Sequence, residues 1–173
     1  MPTSYQAPMR GDKERKRTVS QSTKSNVGQD TATVRKLIEG KGGDVFSIRP
    51  QDTIATAVTH LRDKRIGALL VTDAAGELQG ILSERDIVRK LAETPGQTLP
   101  QRVEDNMTRE VETCGPDDAL VMVLRQMTKG HFRHMPVVDN GKLCGMVTIG
   151  DVVQFRLSEL EHEALQLKQM IVG

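Results

Sequence analysis

Two stretches of this chain place a hydroxyl and a carboxylate three residues apart, directly after a short apolar run. They are Gly80-Ile-Leu-Ser83-Glu-Arg-Asp86 and Gly145-Met-Val-Thr148-Ile-Gly-Asp151. One reading is structural: a Ser or Thr at a helix N-cap accepts from the backbone three residues on, and the aspartate there reaches back to the cap. The other is a nucleotide site. A helix N-terminus offers N–H donors and a positive dipole end to phosphate, the hydroxyl adds a donor, and the carboxylate accepts from ribose hydroxyls. A single motif of this kind favours the cap. Two copies in register, 65 residues apart, give the second reading its weight.

The elements that would position these residues repeat with them. In the first unit, residues 44–48 read as a strand, Pro50 to Thr53 as a turn, and residues 54–65 as a helix with Ile54, Ala57, Val58 and Leu61 on one face. Two strands follow at 67–72 and 77–82, joined by a hairpin turn, and Ser83 opens a helix through Leu91. A shift of 66 residues lays Val111-Glu-Thr-Cys114 on Val45 to Ile48, Pro116 on Pro50, and Leu120, Val123, Leu124 and Met127 on the helix face above. One deletion at the hairpin tip, Asn140-Gly141 against Ala74-Ala-Gly76, brings the shift to 65 for the rest. The loss falls where a duplicated fold tolerates it, so the chain carries an internal repeat of a β-α-β-β-α unit.

The expected fold class is therefore α+β, two tandem repeats related by a pseudo-twofold. Residues 1–30 are expected to be a disordered tail. Residues 31–93 form the first repeat with a leading helix of Val34, Leu37 and Ile38 that Gly40, Gly42 and Gly43 end. Residues 94–106 are a linker rich in Pro and Gly, and residues 107–173 the second repeat with an extended C-terminal helix. That helix carries Leu157, Leu160, Ala164 and Leu167 past the end of the repeat, a seam that suggests a partner helix and a homodimer.

A net charge of +1 over 173 residues argues against a protein devoted to nucleic acid or to a membrane surface. Only four aromatics, Tyr5, Phe46, Phe132 and Phe155, speak against a base-stacking platform. Cys114 and Cys144 lack metal spacing and read as small hydrophobes. No apolar run reaches the length of a membrane span, and a cytoplasmic location is expected by default; the basic, hydroxyl-rich tail leaves a transit peptide as the minor alternative. The four histidines supply no paired acid and base, nucleophile or metal set, so no enzyme is expected.

Taken together, the duplicated motifs, with Ile66-Gly-Ala-Leu-Leu-Val and Phe132-Arg-His-Met-Pro-Val-Val-Asp139, resemble a tandem pair of CBS domains, the Bateman module, over about residues 31–160. The resemblance implies a regulatory module without a catalytic domain, binding AMP, ADP or ATP, or else NAD(H) or S-adenosylmethionine, in clefts between the repeats. It also implies disc-like homodimers that report occupancy to an effector protein; a ligand-independent scaffold or a nucleic-acid binder is the competing class. By resemblance Asp151 and Asp86 are ribose ligands, Thr148 and Ser83 their partner hydroxyls, and Thr113 and Ser47 contacts at the first strand's end. His131, Arg133 and His134 face a phosphate, and Met135 and Pro136 wall the adenine. Arg65, Gly67 and Ala68 stand at the matching positions of the first repeat, with Ile66 beside them among its ligand-binding candidates; there Arg65 keeps the only cationic head, and Arg85 is available to a phosphate. This assignment groups the cations of the second repeat with Asp151 and ranks Asp151 above Asp86.

Overall fold

The structure, a computed structural model, describes residues 32–173; the tail read as disordered lies outside the described residues. Helix α1 (Val34–Lys41) is capped by the Thr33 hydroxyl, which accepts from the Lys36 N–H, and ends at Gly42 with φ of 91°. Gly40 lies within the helix, so of the three glycines it is Gly42 that supplies the positive φ of a helix end. The first repeat follows as β1 (Ser47–Ile48), α2 (Ile54–Lys64), β2 (Ala68–Thr72), β3 (Leu78–Ser83) and α3 (Glu84–Glu93). Its sheet has the order β1-β2-β3, with β1 parallel and β3 antiparallel to β2.

The second repeat comprises α4 (Leu120–Gly130), β4 (His134–Asp139), β5 (Lys142–Thr148) and α5 (Ile149–Val172). Strands β4 and β5 pair antiparallel through an Asn140-Gly141 turn whose two residues both have positive φ, the geometry that matches strand twist. The strand expected at 111–114 is reduced to one parallel bridge from Cys114 to Val137. The cause is Pro136. In the first repeat the Leu70 N–H donates to the Phe46 carbonyl at 3.0 Å, and at the matching position Pro136 has no N–H to make that rung.

The pseudo-twofold is written into the backbone hydrogen bonds. Val103 and Glu104 donate to the carbonyls of Asp52 and Pro50 at 2.8 and 3.0 Å, just as Val34 and Arg35 donate to those of Asp118 and Pro116 at 2.9 and 2.7 Å. Each repeat therefore receives the segment that precedes the other one. Ala32, Val34 and Leu37 complete the core of Leu120, Val123, Met127, Met135, Val137, Val147 and Val152, while Val103 completes that of Ile54, Ala57, Leu61, Leu69, Val71 and Leu82. Helix α1, which by sequence leads the first repeat, is by packing part of the second.

The exchange explains the glycine that heads each motif. A Cβ on Gly80 would stand 2.7 Å from both the Thr108 carbonyl and Met107 Sδ, and one on Gly145 would stand 2.9 Å from Ile38 Cδ1. Both glycines admit the exchanged segment against the last strand. Alternation along β2 and β4 then sends Leu69, Val71, Met135 and Val137 into the cores, so that Ala68, Leu70, His134 and Pro136 face the opposite way. On that side the His134 ring reaches the first repeat, within 3.2 Å of where a Gly67 side chain would begin.

Candidate functional site

Both motifs are capping boxes. The Ser83 hydroxyl accepts from the Asp86 N–H at 3.3 Å, and Asp86 Oδ2 accepts from the Ser83 N–H at 3.0 Å and from its Oγ at 2.6 Å. The Thr148 hydroxyl accepts from the Asp151 N–H at 3.1 Å, and Asp151 Oδ2 accepts from the Thr148 N–H at 3.0 Å. Local structure is thus satisfied at both sites. What distinguishes them is the surroundings.

Ser83, Arg85 and Asp86 line a cleft of about 740 Å3 between the repeats. Facing them from the second repeat are His131, Arg133 and His134, along with Thr108, Glu110 and Glu112 from the exchanged segment. Arg85 spans the gap, its Nη1 donating to the His131 carbonyl at 2.9 Å. Arg89, one helical turn beyond Arg85, lines the same wall. The cations of the second repeat accordingly share a cleft with Asp86 and not with Asp151, which reverses the grouping expected from sequence. The backbone at the start of β4 lies beside the start of α5, with His134 paired to Thr148 and the Ile149 N–H donating to the Arg133 carbonyl; it is the side chains there that turn to the first repeat, where the His134 ring stands against Gly67.

Asp151 has a cation of its own. Lys41 Nζ, at the end of α1, donates to Asp151 Oδ2 at 2.5 Å, and both residues line a separate cavity of about 580 Å3 between α1 and α5 with Leu37, Phe155 and His162. Burial alone would raise the Asp151 carboxyl, but hydrogen bonds from Lys41 and Thr148 outweigh it and hold the group below the usual carboxylate range. His134 moves the other way from a cation. Burial pushes its imidazole below the ordinary value; Arg133 and Lys41 add to this, and the pull of Glu84 and Asp151 does not overcome it. Burial therefore favours the neutral form of the His134 ring.

The remaining expected site residues fall outside the cleft between the repeats. Met135 is fully buried in the core of the second repeat, on the face of β4 that points away from the cleft. Pro136 and Ala68 are buried, and Ile66 packs on the core of the first repeat. Arg65 and His131 both take the left-handed conformation that ends α2 and α4, with φ of 54° and 56°; Arg65 stays exposed in solvent. Ser47 and Thr113 are exposed; the cleft wall instead takes Val111 and Glu112, next to Thr113. Lys41, Arg89, Thr108, Glu110 and Glu112 were not expected. Arg89 carries a signal by its helical spacing of four from Arg85, and Glu112 falls on Phe46 in the repeat register; Lys41, Thr108 and Glu110 lie outside the aligned units. Among the described residues no three His, Cys, Asp or Glu side chains could together hold a metal ion, and no helix is long and apolar enough to cross a membrane.

Comparison with known proteins agrees with this architecture. The model of the CBS domain matches residues 42–93 and again residues 102–158. A mitochondrial CBS domain-containing protein of Arabidopsis thaliana, CBSX3, is 30% identical over 154 residues, covering 84% of this chain and 75% of that one. Several longer curated relatives are matched over only about a quarter of their length. Among solved structures, the CBS-domain containing protein ATU1752 from Agrobacterium tumefaciens is 41% identical with a TM-score of 0.71, covering 74% of this chain and 96% of that one. The CBS domain pair of protein MJ0100, solved in complex with 5-methylthioadenosine and S-adenosyl-L-methionine, is 26% identical with a TM-score of 0.63, over 75% of this chain and 98% of that one. With two family matches on two exchanged, pseudo-symmetric repeats, the chain belongs to the CBS domain family as a tandem pair, and CBS pairs are regulatory modules.

Proposed function

We propose that this CBS pair binds one adenine nucleotide, AMP, ADP or ATP, in the cleft at the start of α3, and reports its occupancy. The observation that carries this reading is the meeting of a helix N-terminus, the Asp86 carboxylate and three guanidinium groups, Arg85, Arg89 and Arg133, around one cleft of about 740 Å3. The hydrogen bonds of Asp86 fall on Oδ2, so Oδ1 is available to ribose hydroxyls. Guanidinium groups and helix N–H donors suit phosphate oxygens. Glu84, Glu110 and Glu112 on the same walls keep phosphate to the arginine side. The volume suits a ligand of nucleotide size. The adenosine-containing ligands named for the MJ0100 pair support the ligand class; NAD(H) and S-adenosylmethionine are the alternatives within it.

At the second motif Lys41 pairs with Asp151 through the same Oδ2 that accepts from the Thr148 N–H, so a ribose there would meet a carboxylate already neutralised by an ion pair. One nucleotide per chain follows. The module is not an enzyme in this reading; it works as a homodimer whose geometry passes occupancy to an effector protein. Its place is the cytoplasm, against which the name of the Arabidopsis relative sets the mitochondrion, and cell fractionation decides between them.

A thermal-shift panel of AMP, ADP, ATP, NAD, NADH and S-adenosylmethionine tests the ligand. At a hundredfold excess over its dissociation constant a true ligand adds about 2.7 kcal/mol, which for a domain of this size raises the melting temperature by roughly 5–10 °C. A flat response to all six compounds overturns the proposal in favour of a ligand-independent scaffold.

A further inference from the structure

Helix α5 runs 24 residues and projects past the last residue matched to the CBS family, residue 158. Its inner face, with Asp151, Phe155, Ser158 and His162, lines the cavity shared with α1. The opposite face is apolar and open to solvent: Val153 is 47% exposed, Leu157 51%, Leu160 54%, Leu167 61% and Ile171 82%. With Ala164, these six residues follow one another at spacings of four, three, four, three and four, the a and d positions of a heptad over about 28 Å of helix. Among the described residues the distal turns have no other element to lean on, their side chains all being exposed from Glu161 onward, and a lone helical stretch of that length is marginal in water.

We infer that this seam pairs with the same seam of a second copy of the chain as a parallel, in-register coiled coil. The charges flanking the seam select the partner and the direction. Taking Leu157 and Ala164 as a positions, Arg156 and Glu163 are g residues, and Glu161 and Lys168 are e residues. In a parallel pair each g residue meets the e residue five positions on in the partner. Arg156 then faces Glu161, and Glu163 faces Lys168, so that all four contacts across the pair join opposite charges. In the antiparallel alternative, with Leu157 against Leu167 and Leu160 against Ala164, Glu161 meets its own copy and Glu163 meets its own copy. Both contacts there are repulsive. Arg156 holds Glu159 within its own helix at 2.8 Å, an exposed i, i+3 pair that costs little to exchange.

The inference rests on the proposed reading only for the existence of a homodimer, and it is independent of what fills the cleft. Its test uses the full chain. With Cys144→Ser removing the more accessible native thiol, Ala164→Cys should form an intermolecular disulfide in most of the protein under mild oxidation, because equal positions face each other only in the parallel arrangement. A mixture of Leu160→Cys and Ala164→Cys chains that links as the heterodimer, while Ala164→Cys alone does not link, would show the antiparallel pair and overturn the inference while sparing the homodimer. Arg156→Glu should raise the dimer dissociation constant about tenfold by turning two attractive contacts repulsive, and the double variant Arg156→Glu, Glu161→Arg should restore it. An unchanged constant in Arg156→Glu overturns it. So does a monomer by light scattering at tens of micromolar, which also removes the homodimer from the proposed function but leaves nucleotide binding, read by thermal shift, standing.

Discussion

On the proposed reading of the cleft, the two motif aspartates should be unequal, with Asp86 the one that matters for binding. Replacing Asp86 by Asn keeps the size of the side chain and one acceptor for the Ser83 N–H, and leaves the Ser83 hydroxyl in place as the cap of α3. What disappears is the charge that would accept from ribose hydroxyls at Oδ1. A charge-assisted hydrogen bond is worth about 1.5–3 kcal/mol, so Asp86→Asn should weaken AMP or ATP binding roughly ten- to hundredfold. Asp151→Asn is the comparison, because its carboxylate already holds Lys41 at 2.5 Å and lines a different cavity. Affinity in that variant should stay within about twofold of wild type, since the energetic loss falls on the α1–α5 contact. Isothermal titration of the three proteins with one nucleotide decides the matter. Equal losses in both variants, or a larger loss in Asp151→Asn, would refute the reasoning from cleft sharing.

Other measurements probe the scaffold. Gly80→Ala should destabilise the protein by about 1–3 kcal/mol in urea melts, because its Cβ would press on the Thr108 backbone carbonyl. Gly145→Ala should cost less, since the Ile38 side chain can turn aside; equal costs would count against the exchanged-segment packing. The lowered imidazole of His134 makes stability pH-dependent. The unfolded chain protonates this group near pH 6.5 while the folded protein resists, so the unfolded state binds more protons and stability falls as pH drops below that value, levelling once the folded group also titrates. His134→Gln should flatten that part of a stability profile measured between pH 5 and 7.5, and an unchanged slope would refute the assignment. Cys114, whose thiol burial pushes up to about 12, should stay unreactive toward a disulfide reagent at pH 8 until the protein is unfolded. Rapid labelling of Cys114 in the native state would contradict its placement in the core.

Local features were legible in the sequence and long-range pairings were not. The helix faces, the hairpin at Asn140-Gly141 and both caps are set within about seven residues, and patterning over that span suffices to read them; the repeat follows from meeting the same local patterns twice. The CBS resemblance then assigned site residues within each repeat, where the structure separates some that are neighbours along the chain. Met135 follows His134 in sequence, yet alternation along β4 puts the two on opposite faces, one in the core and one toward the first repeat. Lys41 was invisible because it reaches Asp151 across 110 residues, from a helix that the sequence attaches to the other repeat. The strand at 111–114 failed on one residue, Pro136, whose missing N–H matters only once its partner strand is known.

The exchange of leading segments also bears on how a CBS pair can act as one unit. Val34 and Val103 are both fully buried, each in the core of the repeat that it does not precede. Removing either would leave a cavity in the opposite repeat, so neither unit completes its own interior alone. The same segments run on to the sites: α1 ends in Lys41 against Asp151, and the stretch after Val103 supplies Thr108, Glu110 and Glu112 to the cleft of Asp86. A ligand that draws Arg133 or Glu112 into a new position therefore acts on a strand or segment rooted in both cores. Asymmetry follows from the same design, because a duplicated scaffold fixes where the segments run but not which side chains they carry. Through the segment reaching Asp151 the chain delivers a lysine, which pairs with the carboxylate. Through the segment reaching Asp86 it delivers threonine and glutamates, which bring no cation to that carboxylate and share the cleft with Arg85, Arg89 and Arg133.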